Sequence, residues 1–377
     1  MSLRDNPREF FLWHETADEK TLFDFISKWH HEGESSSELI QFIEFFREKS
    51  VPLNLSPYQC FDCAGTGGDK TNSFNISTAT AFLAAYHGLA LIKNGGRSAS
   101  SKVGSVDVLM ELGLDLSISE EEKLAIFKKI GLSFLSSEIS AVYLAKVKNV
   151  ARSHKESCFI NLIAPFLSRI ELSAQLIGIA QKRWVQVIKE IAKYFLEKGY
   201  REQFILVHAE ANNGTQSLDE FNTVCDSQLI FLKRLGDQIY EKEFLVKISD
   251  HGNSSSLNIS SLAGEAVTPG LDLNKGEIKD LEGSDTKQNA EIIQKIFRGE
   301  AFKSDLDHSM SLKIKAETLM LNTALCLCLK KDLSTFDVNS LEKELQQNFM
   351  KLKLSLSTDE TYKFLSEVRK YFTKAQR

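Results

Sequence analysis

Three short apolar runs, CFDCA, LALIK and LSFLS, follow one another after Gln59, and each is separated from the next by enough chain for a helix. Runs that are apolar along their whole length suit strands covered on both faces. A helix-length segment between neighbouring strands makes the pairing parallel, because a parallel neighbour needs a crossover. The first intervening helix is expected near 76–88, the next around VDVLMELG, and a third in SEEEKLAIFKKIG, where Ser119 and Glu122 stand at capping-box spacing. AQLIGIA, the amphipathic VQVIKEIAKYFLEKG and QFILVHA repeat the alternation later in the chain. The expected fold class is α/β, with a mostly parallel central sheet covered by helices.

The first sixty residues follow a different period. TLFDFISKW places Leu22, Phe25 or Ile26, and Trp29 on one face, and SSSELIQFIEFFREK carries Ser35 and Glu38 at capping-box spacing ahead of Leu39, Phe42, Ile43 and Phe46. Such stripes need a surface to cover them. The expectation is a small all-helical domain over 1–58, completed by the helical sequence at about 145–172, beside a large α/β domain of 59–144 and 173–377. The chain from about 285 reads as mostly helical, and DHGNSSSLNISS at 250–261 reads as a surface loop.

A net charge of −5 leaves no global attraction to nucleic acid or to an anionic membrane, so any phosphate must be captured locally. No run of about 18 apolar residues occurs and the N-terminus is charged and mixed, which points to a cytoplasmic protein without a membrane partner. Cys60 and Cys63 form a C-x-x-C pair, but no second pair or Cys/His cluster with ligand spacing follows. They read as core residues, as do Cys326 and Cys328.

The first junction, AGTGGDKTNSFNIST at 64–78, is rich in glycine just where a strand passes into a helix. Bare backbone there turns sharply and aims N–H groups at the helix start, which makes an anion site. It is neither a Walker A loop nor a dinucleotide fingerprint. One strand later KNGGRSASSKVGSVDVLMELG offers Lys93, Arg97 and Lys102 as cations, Gly95 and Gly96 as bare backbone, and the hydroxyls of Ser98, Ser100 and Ser101. Two such loops at one sheet edge suit a ligand with phosphates at both ends.

Together these loops closely resemble those of the anthranilate phosphoribosyltransferases, enzymes of tryptophan biosynthesis that join anthranilate to phosphoribosyl pyrophosphate. KGYREQFILVHAEANNGTQSLDEFN, with its acidic pair, and GSDTKQNAEIIQKIFRGEA extend the resemblance, which runs from about 33 to 331. It implies a helical domain that also forms a homodimer contact, an α/β domain, and an active site in the cleft between them. By residue, it implies that Gly65, Gly67, Gly68 and Asp69 line ribose and diphosphate, and that Asn75, Ser77 and Thr78 hold diphosphate at the helix start. Lys93, Arg97 and Ser101 are the second-loop contacts to phosphoribosyl pyrophosphate. Ser77, Asp219 and Glu220 bind Mg2+. Positioning and metal chemistry carry the reaction, and no catalytic side chain is assigned.

The departures gather on the acceptor side. Where the family typically reads KHGNR, this chain reads KNGGR, so Asn94 and Gly96 replace residues associated with anthranilate, alongside Gly65. KNV at 148–150 and Asn161 are retained, but the segment between them is about three residues shorter and lacks the family's LGxRT. Counting from KNV, the arginine that meets the acceptor carboxylate falls on His154, with Arg152 and Lys155 nearby. Two alternatives follow: the same donor with another aromatic or nucleobase acceptor, or a non-catalytic relative.

Overall fold

The computed structural model describes residues 2–69, 71–95, 104–135, 138–154, 157–211, 214, 216–262, 264–268, 270–271, 273–303 and 310–373. It opens with α1 (Pro7–Thr16), α2 (Glu19–Glu32) and α3 (Ser36–Lys49), capped by Asn6, Asp18 and Ser35. The Ser35/Glu38 capping box is present, and Glu38 also accepts from Arg4 and from the Trp29 indole N–H, so one carboxylate ties the N-terminus to two helices.

The alternating region follows as β1 (Phe61–Gly65), α4 (Ile76–Tyr86), β2 (Leu91–Asn94), α5 (Ser105–Glu111), α6 (Glu120–Ile130) and β3 (Leu132–Leu135). It continues through α7 (Glu138–Ser153), α8 (Phe159–Ile163), β4 (Ala174–Gly178), α9 (Val185–Glu197) and β5 (Gln203–Glu210). The remaining strands are β6 (Ser217–Leu218), β7 (Asp226–Leu235), β8 (Gln238–His251), β9 (Ser254–Ser261), β10 (Ala266–Val267) and β11 (Leu273–Asn274). The helices α10 (Thr286–Phe297), α11 (Met310–Leu327), α12 (Val338–Leu356) and α13 (Glu360–Phe372) close the chain. None of the described helices is long and apolar enough to cross a membrane.

The sheet runs β10-β9-β8-β7-β5-β4-β1-β2-β3. From β1 the chain steps outward to β2 and β3, then returns on the opposite side of β1 to add β4 and β5, all parallel. The order therefore reverses between β1 and β4, and a crevice opens beyond the carboxyl ends of strands at such a point. Both strands end there in glycine, since Gly65 stands opposite Gly178.

Strand side chains alternate between two cores. Cys63, Leu176, Ile205 and Phe231 face α4 and α10–α13 on one side. Ile177, Phe204, Leu206 and Leu232 face α9 and the N-terminal helices on the other. On that second side Phe10, Trp29, Phe42 and Phe159 interlock, with Trp29 and Phe159 stacked at 4.6 Å, and the cluster runs on without a break to Ile188 and Phe195 of α9. Helix α8, through Phe159, carries the N-terminal helices against the body of the protein.

Residues 250–261 are not a loop. They form the end of β8 and all of β9, an antiparallel pair running from Phe244↔Ser261 to His251↔Ser254 around a turn at Gly252 and Asn253. Strands β7 to β11 add an antiparallel wing to the parallel strands, with β7 lying along β5.

Candidate active site

After Gly65 the chain turns through Thr66, Gly67 and Gly68, the last two at φ of 64° and 87°, where L side chains are strained. Three bonds fix the turn at the switch point. The Thr66 N–H donates to the Gly178 carbonyl at 2.8 Å, the Ala180 N–H donates to Thr66 Oγ1 at 2.9 Å, and Asn161 Nδ2 donates to the Thr66 carbonyl at 2.9 Å. Asn161 is itself held by the Cys158 N–H, and a Cβ on Gly68 would lie 2.5 Å from Ser157 Oγ. The start of α8 thus walls one side of the loop.

The loop leads into α4 with Asn75 as N-cap. Its side chain does not cap the helix and instead accepts from Asn289 Nδ2 at 2.9 Å, which leaves the first N–H groups of α4 without a side-chain partner. Phe74 and Gly283 bind the backbone of Leu281 and Asn72, so the 281–284 segment braces this entry. Ser77 is half-buried, and the buried Thr78 Oγ1 has no hydrogen-bond partner among the described residues.

Asp219 and Glu220 follow β6, which pairs back onto the end of β5. The Gly67 N–H donates to Asp219 Oδ2 at 2.9 Å. A Cβ on Gly65 would overlap the Asp219 carboxylate and one on Gly178 the Asp219 carbonyl, so both bare strand ends leave room for this residue. Glu220 is buried, and Asp69 accepts from the Thr71 N–H and Oγ1. Burial first, and then the charge of Asp219, pushes the Asp69 carboxyl up to about 7. Burial raises Asp219 as well. Burial followed by the Asp219 charge raises Glu220 well above the usual carboxylate range. Lys93 is the cation that opposes both shifts, and its Nζ donates to the Cys63 carbonyl at 2.7 Å. Asp69, Asp219 and Glu220 thus bring three carboxyl groups to the crevice. Their oxygens suit a hard divalent cation, although no set of three ligating side chains forms a ready-made cage among the described residues.

At the end of β2, the Asn94 N–H and Nδ2 both reach the buried Asp62 carboxylate at 3.4 Å, and Gln175 Nε2 joins it at 3.1 Å. Gly96, Arg97 and Ser101 lie outside the described residues. His154 is exposed, and its ring stacks on Phe23 of α2 with centroids 3.7 Å apart, so its contact is with the N-terminal helices and not with the glycine loop.

Residues 57–237 match the a/b domain of the glycosyl transferase family. An anthranilate phosphoribosyltransferase of Chlamydia caviae is 30% identical over 284 residues, covering 75% of this chain and 73% of the relative. The chain belongs to the anthranilate phosphoribosyltransferase family. It is a glycosyltransferase. A Thermoanaerobacter relative of the same name is 31% identical over 71% of this chain and 70% of its own. The Thermus thermophilus anthranilate phosphoribosyltransferase shares the fold, with a TM-score of 0.65 at 20% identity over 98% of this chain and 93% of that one. The Saccharomyces cerevisiae structure described as a complex with PRPP and Mg gives 0.64 at 16% identity over 90% and 80%.

Several residues that shape this family member's crevice were not singled out from the sequence. Gly178 had a signal, a glycine closing the strand in AQLIGIA. Thr66, Asp62 and Asn289 had none, because a threonine in a loop, an aspartate in a strand and an asparagine in a helix acquire their roles from partners far along the chain.

Proposed function

We propose that this protein transfers the 5-phosphoribosyl group from phosphoribosyl pyrophosphate to anthranilate, releasing diphosphate, in a Mg2+-dependent step of tryptophan biosynthesis. The observation that carries the reading is the bond from the Gly67 N–H to Asp219, which joins a phosphate-type loop to the acidic pair across the switch point. Relatives from Chlamydia caviae and Thermoanaerobacter bear the name of this activity, and the yeast protein of like fold binds PRPP and Mg.

On this reading Gly65, Gly67, Gly68 and Asp69 line ribose and diphosphate, while Asn75, Ser77 and Thr78 present the start of α4 to diphosphate oxygens. Lys93, Arg97 and Ser101 complete the donor contacts. Asp219, Glu220 and Ser77 would hold Mg2+. A pair of carboxylates plus a hydroxyl is the right kind of set, because this ion keeps several waters and shares its coordination with substrate phosphates. When bound, it supplies positive charge against the leaving diphosphate. The amide donors of the loop and of α4 are fixed before the reaction, so they stabilise departing charge without reorganising. The arylamine of anthranilate is a nucleophile at neutral pH, and the residues around it have only to position it.

Gly65, Asn94 and Gly96 are assigned to the acceptor side. The engagement of the Asn94 amide by Asp62 favours a second reading, in which the donor is the same and the acceptor is another aromatic or a nucleobase. We also assign 1–58 with 145–172 as the helical unit, homodimerisation through it, and a cytoplasmic location. The test follows anthranilate fluorescence together with diphosphate release, in the presence of phosphoribosyl pyrophosphate and Mg2+. Matched loss and release establish the activity. Unchanged fluorescence with the donor bound moves the assignment to the second reading.

A further inference from the structure

The peptide unit between Thr66 and Gly67 is held at both ends. Asn161 Nδ2 donates to its carbonyl at 2.9 Å, and its N–H donates to Asp219 Oδ2 at 2.9 Å. The bond is trans, and in a planar trans peptide the C=O and the N–H point in opposite directions. Fixing one therefore aims the other. The unit is a rigid strut, with α8 at one end and the acidic segment that follows β6 at the other.

Backbone preference does not set the orientation of this strut. Rotating it changes ψ of Thr66 and φ of Gly67, and a glycine, here at φ of 64°, takes positive and negative φ about equally readily. A side chain has to choose, and Asn161 is placed to do so. It is buried, and its Oδ1 accepts the Cys158 N–H at 3.0 Å, which leaves Nδ2 as the end that faces Thr66. Its helix is fixed in turn, because Phe159 stacks on Trp29 of α2. The Thr66 hydroxyl and N–H, bonded to Ala180 and Gly178, anchor the residue itself, and its carbonyl is left to Asn161.

At the far end the Asp219 carboxylate depends on the same unit. Among the described residues Gly67 is the one other residue whose donor bonds it, since Lys93 Nζ donates to the Cys63 carbonyl instead. The path from Asn161 to Asp219 is thus two hydrogen bonds and one peptide plane.

We propose that Asn161 is a positioning residue for the metal site: by holding the Thr66 carbonyl it turns the Gly67 N–H onto Asp219 and sets the direction in which that carboxylate meets Mg2+. The inference rests on the reading of Asp219 as a metal ligand.

The test compares wild type with Asn161→Asp, Asn161→Leu and Asp219→Ala. Asn161→Asp keeps an acceptor for the Cys158 N–H and sets an oxygen against the Thr66 carbonyl, whereas Asn161→Leu removes both bonds. Two readouts need no turnover. One is the binding of Mn2+, an oxygen-ligated stand-in for Mg2+, by electron paramagnetic resonance with phosphoribosyl pyrophosphate present and no acceptor. The other is hydrogen exchange of the Gly67 amide in the metal-free protein. Loss of a hydrogen bond to a charged group corresponds to about a 10- to 100-fold change, so both Asn161 variants should bind Mn2+ more weakly by about that factor. They should need correspondingly more Mg2+ for diphosphate release, exchange the Gly67 amide faster, and keep the acceptor KM of wild type. Wild-type Mn2+ affinity or wild-type Gly67 exchange in a folded Asn161→Asp protein overturns the inference. If Asp219→Ala loses Mn2+ while Asn161→Asp keeps it, the inference falls alone; if Asp219→Ala binds Mn2+ as wild type does, the metal reading falls and takes the inference with it. Should neither Asn161 variant fold, Gly67 exchange in Asp219→Ala decides, and a rate equal to that of wild type overturns the inference.

Discussion

Gly178→Ala should disable the enzyme although residue 178 has no side chain to contact a substrate. The backbone there is not in the left-handed region, so alanine brings no conformational strain of its own. Its Cβ would overlap the carbonyl of Asp219, which is backbone and has no rotamer to escape into. The Asp219 segment must therefore retreat by more than about 1 Å to reach ordinary van der Waals separation. Overpacking of this kind costs about 1–3 kcal/mol, and the bond from Gly67 to a carboxylate adds about 1.5–3 kcal/mol when it breaks. A shift of about 1 Å in a positioning group lowers turnover on the order of 10²-fold. Gly65→Ala is the informative partner, because its Cβ would meet the Asp219 carboxylate, which can rotate away. Both variants should lose turnover and need more Mg2+ in a diphosphate-release titration, while thermal melts should show Gly178→Ala clearly the less stable. Wild-type turnover at the wild-type Mg2+ requirement in Gly178→Ala would refute the idea that the bare strand ends seat Asp219, as would a melt in which Gly65→Ala is the weaker protein.

Thr78→Val removes a buried hydroxyl that bonds nothing among the described residues, so it should leave the melting temperature within a degree or two while raising the donor KM about three- to tenfold; a large loss of stability with an unchanged KM contradicts the role assigned to it. Asp69 titrates near 7 in the fold against an ordinary value of 3.8, so the folded state keeps a proton that the unfolded chain releases. Its contribution to stability is complete below about pH 4 and is lost as pH rises through 7. The metal-free protein should melt at lower temperature at pH 8 than at pH 5, and Asp69→Asn should flatten that slope; a wild-type melting temperature that climbs over this window is the contrary result. All six cysteines are free and buried; burial pushes Cys60 up to about 11 and Cys158 and Cys225 to about 12, and Cys63, which the hydrogen bond with Cys326 lowers, is only 1% exposed, so a disulfide reagent at pH 8 should find no rapidly reacting thiol until denaturant exposes six. Ser35→Ala, which removes the cap of α3, should cost about 1 kcal/mol in a denaturant melt; no change would mean that Glu38 holds the helix start through Arg4 and Trp29 alone.

The parallel strands and the glycine loop were legible because their signals are local: four or five apolar residues, a glycine, a polar cap. The antiparallel wing was not. Of the inward positions of β9 only Leu257 and Ile259 are large and apolar, the others being Ser255 and Ser261, so the composition reads as a loop. A strand forms there because β8 offers a complete partner edge, which no local window contains. The same distinction divides the site. Gly67 and Asp219 are 152 positions apart, and resemblance could pair them because the strand ends that bring them together are regular. The acceptor cation was sought by counting along a segment shortened by about three residues, and counting led to a histidine that stacks on Phe23. A deletion in a connecting stretch resets the count but leaves the phase of a helix intact, since the phase is set by what the helix buries. Leu144, Val147 and Ala151 fix the phase of α7.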